Sequence, residues 1–386
     1  MTVEVRYLGH LGNNLFQYAL GRILAEELGS ALTCRAPSDT RGWGAVEAMS
    51  GIVDRFVTQS AAFADAPQSL PGNEVDDPQL RYVIGEKQNW SGHGINLPYL
   101  LRHGHGHRIV LHGYFQRAEY YLPYRERIAR WLALPPAPLL PRLGKHDVLV
   151  HLRQSLDMKL LDRQIDLRFY TDTLADMAPA RVYVCGLGID DAVRAALAPF
   201  NPQYLHLPAL DTLKVIMQAR RIVLANSTFS WWGAWLSEAE EIVYPRVTRN
   251  FWSADRADIA LEVPDARYRY VDDVVVSNWQ PFEVAASVEW QFDGGADASP
   301  ASLRVRKEQH GLSMQLSADL APLAAWLTTR RAPFGFNDIE VCELSPAARQ
   351  DAPRLLLALA RHGFLDADQT ALDGIAAIYG EVTAGA

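Results

Sequence analysis

The sequence predicts an α/β protein in which parallel sheets are covered by helices. Residues 147–237 alternate short strand-like runs with helix-like runs, which is typical of βαβ units and a mostly parallel sheet. The chain also opens with a strand-like run at residues 3–8, a glycine loop and helical periodicity over 15–28. With 386 residues it is long enough for two or three domains, which favours a cleft between them.

Recognisable strand and helix patterns mark the beginning and the end of the N-terminal part. Residues 30–108 give no simple pattern, but a strand-like run at 109–112 and a helix-like run at 121–134 follow them. The sequence PPAP at 135–138 stiffens the chain and is expected to end that helix. We therefore expect an N-terminal domain over residues 1–140, which the family resemblance described below implies to be Rossmann-like.

The next part carries the clearest alternation of elements, and we expect a second domain with a mostly parallel sheet over residues 141–278, which the same resemblance implies to be Rossmann-like. The predicted strands lie at residues 147–152, 181–185 and 222–225, and the predicted helices at 166–178, 190–198, 213–219 and 230–237.

The tail, residues 283–386, has a different pattern. Short strands are predicted at 288–292, 303–306 and 312–316, with helices near 320–328 and 352–362. This order is similar to small winged-helix domains, so we expect an α+β accessory domain. The tail has 14 acidic and 8 basic residues, which speaks against DNA and leaves acceptor recognition or homo-oligomer formation open.

Composition and charge exclude several classes of protein. A net charge of −8 without a long Lys/Arg run argues against a nucleic-acid partner. The cysteines Cys34, Cys185 and Cys342 are widely spaced, which disfavours a disulfide framework or a cysteine metal site and fits the cytoplasm. The start resembles no signal peptide and no apolar run approaches a membrane span, so membrane contact is peripheral at most, at the inner face.

The stretch VLVHLRQSLD places His151 and Arg153 at the end of a predicted strand. Ligands of doubly wound sheets bind outside the carboxyl ends of the strands. There a guanidinium can hold a phosphate with two hydrogen bonds, while an imidazole faces the base or the sugar. The alternative is that Arg153 pairs with Asp157 or Asp162, and the stretch alone does not decide between the two.

The stretch LANSTFSWWGAWL is a strand that ends in small polar residues and leads into a helix. Free N–H groups and hydroxyls at a helix start suit an anion. The alternative is an ordinary helix cap, with the three tryptophans in the core, and we favour the core for Trp231, Trp232 and Trp235. For residues 227–230 we favour phosphate binding.

The opening stretch GHLGNNLFQYA allows the backbone to approach a ligand at a helix start. Together with the other stretches it resembles glycosyltransferase family 11, the α-1,2-fucosyltransferases. The family's GGLGNQLFQYA matches the opening, and its GYFQSEKYF segment matches HGYFQRAEYY. HLRQ lies where the family has HxRRGD, and NSTFSWWGAWL nearly equals its NSSFSWWGAWL. The resemblance covers about residues 5–250.

The resemblance implies a GT-B arrangement of two Rossmann-like domains facing a cleft, GDP-fucose as donor, inversion at the anomeric carbon and no metal or other cofactor. It implies that Arg153 holds the donor's β-phosphate and that His151 lies near the nucleoside. The diphosphate and the cleft would be lined by Asn226, Ser227, Thr228, Phe229, Ser230, Gly12 and Asn13.

This chain departs from the family pattern at two places. Gln154 replaces the second arginine of HxRRGD, and Ser155 and Leu156 replace its glycine and aspartate. The stretch CGLG at 185–188 stands where the family has a serine and an acidic pair. The donor is therefore GDP-fucose or another nucleotide sugar. A degenerate, non-catalytic binding or scaffold protein is the alternative of a different class, because fold alone does not fix function.

Catalysis needs a base for the acceptor hydroxyl, and the candidates are Asp157, Glu119 and His10, in that order. The acceptor is expected to be a saccharide or glycoconjugate. The segment RHGHGH would align His103, His105 and His107 on one face only if it were a strand. Its glycines favour a loop, so we predict no metal site.

Overall fold

The structure, a computed structural model, describes residues 2–7, 11–35, 95–111, 113–133, 141–160, 163–247, 259–276, 279–293, 301–307 and 310–379. The PPAP sequence at 135–138, near which we expect the boundary between the first two domains, lies outside the described residues, as does His112 of the predicted strand at 109–112.

The N-terminal part forms a parallel sheet. Its strands are β1 (Thr2–Arg6), β2 (Ala31–Arg35) and β3 (Arg108–Leu111), and its helices are α1 (Leu11–Glu27) and α2 (Leu97–His103). The strand order is β2-β1-β3, so Val3 lies between Leu32 and Ile109. The buried side of α1 packs on this sheet, where Val5 and Gly21 are in close contact.

The predicted helix at 121–134 is shorter than expected. Two 3-10 turns, Ala118–Tyr120 and Leu122–Tyr124, precede α3 (Arg125–Trp131). The hydroxyl of Tyr121 donates to the carbonyl oxygens of Phe16, over 3.1 Å, and Phe115, over 2.8 Å. These contacts hold the chain against α1, so the regular helix begins only after them.

The middle part forms a larger parallel sheet, which confirms the predicted fold class. Its order is β6-β5-β4-β7-β8-β9, and every pairing is parallel. The strands are β4 (Val148–Arg153), β5 (Val182–Leu187), β6 (Gln203–Tyr204), β7 (Arg221–Val223), β8 (Glu241–Val247) and β9 (Tyr268–Val274).

Helices connect these strands. They are α4 (Leu156–Leu160), α5 (Leu167–Met177), α6 (Asp191–Leu197), α7 (Ala209–Gln218) and α8 (Thr228–Leu236). The carboxylates of Asp166 and Asp190 accept hydrogen bonds from first-turn N–H groups of α5 and α6, as good N-caps do. Helix α8 begins two residues earlier than the predicted start at residue 230.

The strand order of this sheet determines where a ligand fits. Counted in sequence order within this sheet, it reads 3-2-1-4-5-6, the doubly wound Rossmann order. The first and fourth of these strands are β4 and β7, and between them the direction of winding reverses. In such sheets the ligand crevice lies at this switch point, outside the carboxyl ends of the strands.

The tail has its own apolar core, which includes Leu303, Leu323, Phe334, Leu356 and Phe364. Its elements are β10 (Phe282–Val284), the antiparallel β11 (Val288–Asp293), β12 (Ala301–Lys307) and β13 (His310–Leu316), the helices α9 (Ala321–Thr329) and α10 (Pro346–Arg361), β14 (Leu365–Ala367) and α11 (Gln369–Tyr379). The β10–β14 pair and α11 are absent from the sequence-based prediction. Within the described residues, no helix is both long and apolar enough to cross a membrane.

Candidate functional site

Two of the motifs lie on the two sides of the switch point. Strand β4 pairs with β7 up to Val150, opposite Val223, and then continues through His151 and Arg153. Beyond the end of β7, the start of α8 lies beside this extension. The ring of His151 is 5.6 Å, centre to centre, from the ring of Phe229. The strand end and the helix start therefore form one surface.

The side chains of β4 alternate between two cores. Val148, Val150 and Leu152 belong to the apolar core on one face of the sheet, whereas Leu149 belongs to the core shared with α8 and the N-terminal part. Alternate residues of a strand share a face. The half-buried Arg153 thus points to the same side as Leu149, toward α8 and the N-terminal part.

His151 is buried, with 4% of its surface exposed. Burial, together with the nearby positive charge of Arg153, lowers its pKa from 6.5 to about 3. The imidazole is therefore neutral at physiological pH. Its Nδ1 atom has no hydrogen-bond partner among the described residues, so this buried polar atom remains able to bond a ligand group.

Gln154, which replaces the family's second arginine, ties down the loop after β4. Its N–H donates to the carbonyl of Leu187, and its side-chain amide donates to the carbonyl of Ile165, both over 2.8 Å. Its own carbonyl contacts Gly188, which has a φ of +74° and would place a Cβ 2.0 Å from that oxygen. The CGLG stretch is thus required for close backbone packing beneath the Arg153 loop.

The start of α8 presents part of the predicted phosphate site. Ser227 is the N-cap residue, but its side chain accepts no capping hydrogen bond. Thr228, Phe229 and Asn226 are half-buried. Ser230 is fully buried, and its hydroxyl donates to the carbonyl of Ser227 over 3.1 Å, so its side chain points into the helix and away from solvent.

The N-terminal part meets α8 through the start of α1. A Cβ at Gly12 would lie 2.4 Å from the backbone nitrogen of Phe229, so only glycine allows this approach. The amide oxygen of Asn13 accepts a hydrogen bond from the Thr228 hydroxyl over 3.0 Å and another from Gln116 over 2.8 Å. Gly12 and Asn13 therefore lie against the start of α8, and their predicted role in lining the donor site stays a prediction.

Phe16, Gln17 and Tyr121, for which no role was predicted from the sequence, connect the opening stretch with HGYFQRAEYY and with α8. The side-chain amide of Gln17 donates to the carbonyl of Gly113 over 2.9 Å. Phe16 packs against Tyr121, Trp231 and Trp232, with ring centres 4.7–5.2 Å apart. The tryptophans of α8 are buried, which confirms their predicted place in the core. The sequence signal that could have identified Phe16, Gln17 and Tyr121 is the motif itself, because these residues lie inside LFQYA and GYFQRAEYY.

The three candidate bases have different positions. Glu119 is exposed and forms an ion pair with Arg117 over 2.7 Å. Asp157 lies in the short helix α4, close in sequence to Arg153. His10 lies outside the described residues, immediately before α1.

The described residues contain no cluster of three or more His, Cys, Asp or Glu side chains that could hold a metal ion. His103 is the last residue of α2 and His105 lies in a turn. The alternative in which RHGHGH is a strand is therefore wrong.

No protein-family model and no curated protein sequence matches this chain. Among solved structures, it is similar to the fucosyltransferase NodZ from Bradyrhizobium, with a TM-score of 0.37, 15% identity and coverage of 62% of this chain and 94% of that one. For the ADP-heptose lps heptosyltransferase II of E. coli, the TM-score is 0.34 and the identity 13%, with coverage of 70% of this chain and 90% of that one. For the E. coli heptosyltransferase WaaC with ADP-2-deoxy-2-fluoro heptose, the TM-score is 0.35 and the identity 12%, with coverage of 70% of this chain and 93% of that one. These are distant similarities to GT-B glycosyltransferases, too weak to assign a function.

Proposed function

We propose that this protein is an inverting GT-B glycosyltransferase that transfers fucose from GDP-fucose to a saccharide hydroxyl, with an α-1,2 linkage. The observation that carries the proposal is the placement of Arg153 and the start of α8 on opposite sides of one switch point. Asn13 of the N-terminal part bonds to this helix start. This geometry suits a nucleotide sugar held between the two sheets.

In the proposed complex, the diphosphate lies between Arg153 and the first turn of α8. A guanidinium binds phosphate oxygens through two parallel hydrogen bonds, and a helix start adds N–H groups and a positive dipole. Ser227 and Thr228 supply side-chain hydroxyls, whereas Ser230 contributes only backbone groups. Asn226 and Phe229 flank the site. The neutral His151 adds no charge there and is placed to bond the nucleoside through Nδ1.

The proposed reaction is a single displacement. The acceptor oxygen attacks the anomeric carbon of fucose from the face opposite the diphosphate, and the bond from that carbon to the phosphate oxygen breaks. GDP leaves with the electron pair, and the acceptor proton passes to a base. Arg153 stabilises the charge that develops on the leaving diphosphate. Because Arg153 and the helix start supply positive potential, the proposal includes no metal.

The base is proposed among Asp157, Glu119 and His10, with Asp157 first because α4 follows Arg153 directly. Glu119 ranks behind Asp157 because its carboxylate is already engaged in the ion pair with Arg117. Alanine variants of the three residues, compared for turnover at saturating donor, test this assignment.

The donor's base and sugar depend on the loops after β4 and β5. In this chain Gln154 and Gly188 serve backbone packing, so neither supplies a charge that would recognise guanine. A different nucleotide sugar is therefore the second candidate donor. A non-catalytic binding or scaffold role is the third reading, and it predicts donor binding without transfer or hydrolysis.

A thermal-shift screen of GDP, UDP, dTDP and CMP sugars distinguishes these readings. The proposal expects GDP-fucose to raise the melting temperature most and to be hydrolysed slowly to GDP and fucose. Stabilisation by another nucleotide sugar would redirect the donor assignment. Binding without GDP release, with a panel of saccharide acceptors present, would favour the scaffold role. The acceptor is proposed to be a saccharide or glycoconjugate, reached in the cytoplasm or by peripheral contact with a membrane.

A further inference from the structure

Helix α4 connects the candidate donor site to the tail. It begins three residues after Arg153, and the intervening Gln154 is fixed by hydrogen bonds to the carbonyls of Leu187 and Ile165. Arg153 itself lies in a strand that is paired with β5 along its whole length. The second sheet therefore fixes the backbone position of Arg153.

The tail contacts α4 from the other side. The side chain of Leu156 packs against the tail's apolar core, and α11 lies against α4. The ammonium of Lys159 lies 4.2 Å from the ring centre of Trp279, which precedes β10. This is cation–π geometry. Both ends of the short helix are therefore in contact with the tail or with the segment that leads to it.

The segment between the second sheet and the tail runs beside the same region. Val276 forms an antiparallel bridge with Ile165, and the N–H of Asp166 donates to the carbonyl of Val275 over 2.9 Å. Ile165 is also the residue that Gln154 contacts. The chain thus leaves the second sheet next to the Arg153 loop before it enters the tail.

A five-residue helix cannot maintain itself in water, because helix nucleation costs more than so few hydrogen bonds return. Its conformation depends on tertiary packing, and the packing of Leu156 and Lys159 comes from the tail and its connecting segment. The position of Asp157, which lies between these two residues, is thus set by contacts of the tail.

We propose that the tail positions α4 for the chemical step, with Trp279 and Lys159 as positioning residues. This revises the sequence-based expectation that the tail acts only in acceptor choice or assembly, and it rests on the proposed function. In the proposed complex the donor is bound by Arg153, whose backbone lies in the second sheet, and by the start of α8. Loosening the tail contact therefore lowers turnover and leaves the affinity for the donor unchanged.

The test uses the full chain with Trp279→Ala, Lys159→Gln and Lys159→Arg. The matched control is Arg330→Gln, which removes a cation–π pair with Trp326, 5.0 Å from the ring centre, inside the tail. The readouts are deuterium uptake of residues 155–160, the Kd of GDP-fucose by calorimetry, and kcat for GDP release. Lys159→Gln is conservative enough to fold even if Trp279→Ala does not.

For Trp279→Ala and Lys159→Gln we expect uptake about 2- to 30-fold faster, as the loss of one cation–π contact implies. We expect kcat to fall about 10- to 100-fold, because a small displacement of a catalytic group has effects of that size. The Kd of GDP-fucose stays within about twofold, since the phosphate contacts remain. Lys159→Arg keeps the positive charge over the Trp279 ring, so we expect wild-type deuterium uptake and kcat. We expect Arg330→Gln to change neither deuterium uptake nor kcat.

Unchanged uptake in Lys159→Gln would overturn the proposal, and so would faster uptake with wild-type kcat. If a variant loses donor affinity and kcat in parallel, the contact has a purely structural role. This result would also contradict the proposal. If the wild-type protein binds no nucleotide sugar, the proposed function fails and this proposal fails with it. Wild-type donor binding with unaffected turnover in the variants overturns only the role of the tail.

Discussion

The hydroxyl of Thr228 donates a hydrogen bond to the amide oxygen of Asn13 over 3.0 Å, and this bond joins two helix starts from different sheets. Helix α1 follows the central strand of the first sheet, and α8 follows the strand at the switch point of the second. The bond therefore brings together the carboxyl end of one strand from each sheet, the end at which α/β proteins bind ligands. Asn13 also accepts from Gln116, so the bond belongs to a small polar network.

A double-mutant cycle measures this contact. Thr228→Val removes the donor while keeping the shape of the side chain, and Asn13→Ala removes the acceptor. We expect a coupling energy of about 0.5–1.5 kcal/mol in urea unfolding, the usual net value of one intramolecular hydrogen bond. A second cycle that combines Asn13→Ala with Ser313→Ala serves as the uncoupled control, because Ser313 lies in the tail. Additive effects of Thr228→Val and Asn13→Ala would show that the bond contributes nothing.

Gly12→Ala should destabilise the protein by about 1–3 kcal/mol, the usual cost of forcing extra atoms into a packed interface. The added Cβ would lie 2.4 Å from the Phe229 nitrogen and 2.5 Å from the Thr228 hydroxyl oxygen. Gly311→Ala is the comparison, because its Cβ would meet only the carbonyl oxygen of Val305 at 3.5 Å. Chemical denaturation of both variants checks this, and equal stability of the two would mean that the helix starts are not in close contact.

The motifs show what the sequence could and could not predict. Hydrophobic periodicity identified β4, β5 and β7 of the second sheet but not β6, β8 or β9, and His151 and Arg153 were correctly expected at a strand end. The buried orientation of Ser230 was not predictable, because it depends on how the first turn of α8 faces Gly12. The role of Gln154 was also hidden, since its partners Leu187 and Ile165 come together only in the folded chain.

The elements missed in the tail have a similar cause. The strands β10 and β14 have three residues each and are separated by about eighty residues, so no local periodicity marks them. The contact of α11 with α4 is set by tertiary packing between segments distant in sequence. Local patterns identify elements, whereas pairings between distant short segments depend on the whole chain.

The pH dependence of stability should report His151. Its pKa is about 3 in the folded protein and returns to about 6.5 on unfolding, so the unfolded chain binds a proton that the folded chain does not. Stability attributable to this residue is therefore lost as the pH falls below 6.5. The slope approaches about 1.4 kcal/mol per pH unit.

His151→Phe removes the titrating group and keeps a ring against Phe229. The difference in unfolding free energy between wild type and this variant, measured from pH 7 to pH 5, isolates the contribution of His151. As the pH falls, the unfolding free energy of the wild type should decrease relative to that of His151→Phe. A difference independent of pH would mean that His151 titrates alike in both states.

Arg153→Lys should lower the turnover of GDP-fucose by about 10²-fold or more, if the loss matches that of one preorganised donor at a developing anion. The lysine keeps the charge but cannot form two parallel hydrogen bonds. Arg181→Lys is the matched control, because Arg181 immediately precedes β5, at the amino ends of the strands and away from the proposed site, and pairs with Asp147 over 2.8 Å. Near-normal turnover in Arg153→Lys would remove Arg153 from the mechanism.

Turnover should not depend on a divalent cation, since Arg153 and the helix start provide the positive potential at the diphosphate. Dialysis against EDTA followed by an assay of GDP release checks this, with added magnesium or manganese as the comparison. Activity lost on chelation and restored by manganese would contradict the prediction and would require metal ligands that the proposal does not include.

The most direct measurement is a calorimetric titration of GDP-fucose into the wild type, Arg153→Ala and the control Arg181→Ala. The account places the diphosphate at the carboxyl end of β4, so Arg153→Ala should weaken binding by about 30-fold or more, the cost of removing one partner of a charged contact. Arg181→Ala lies at the amino end of the same sheet and should bind like the wild type. Equal affinities in all three proteins, or no binding in the wild type, would contradict a donor site at the switch point.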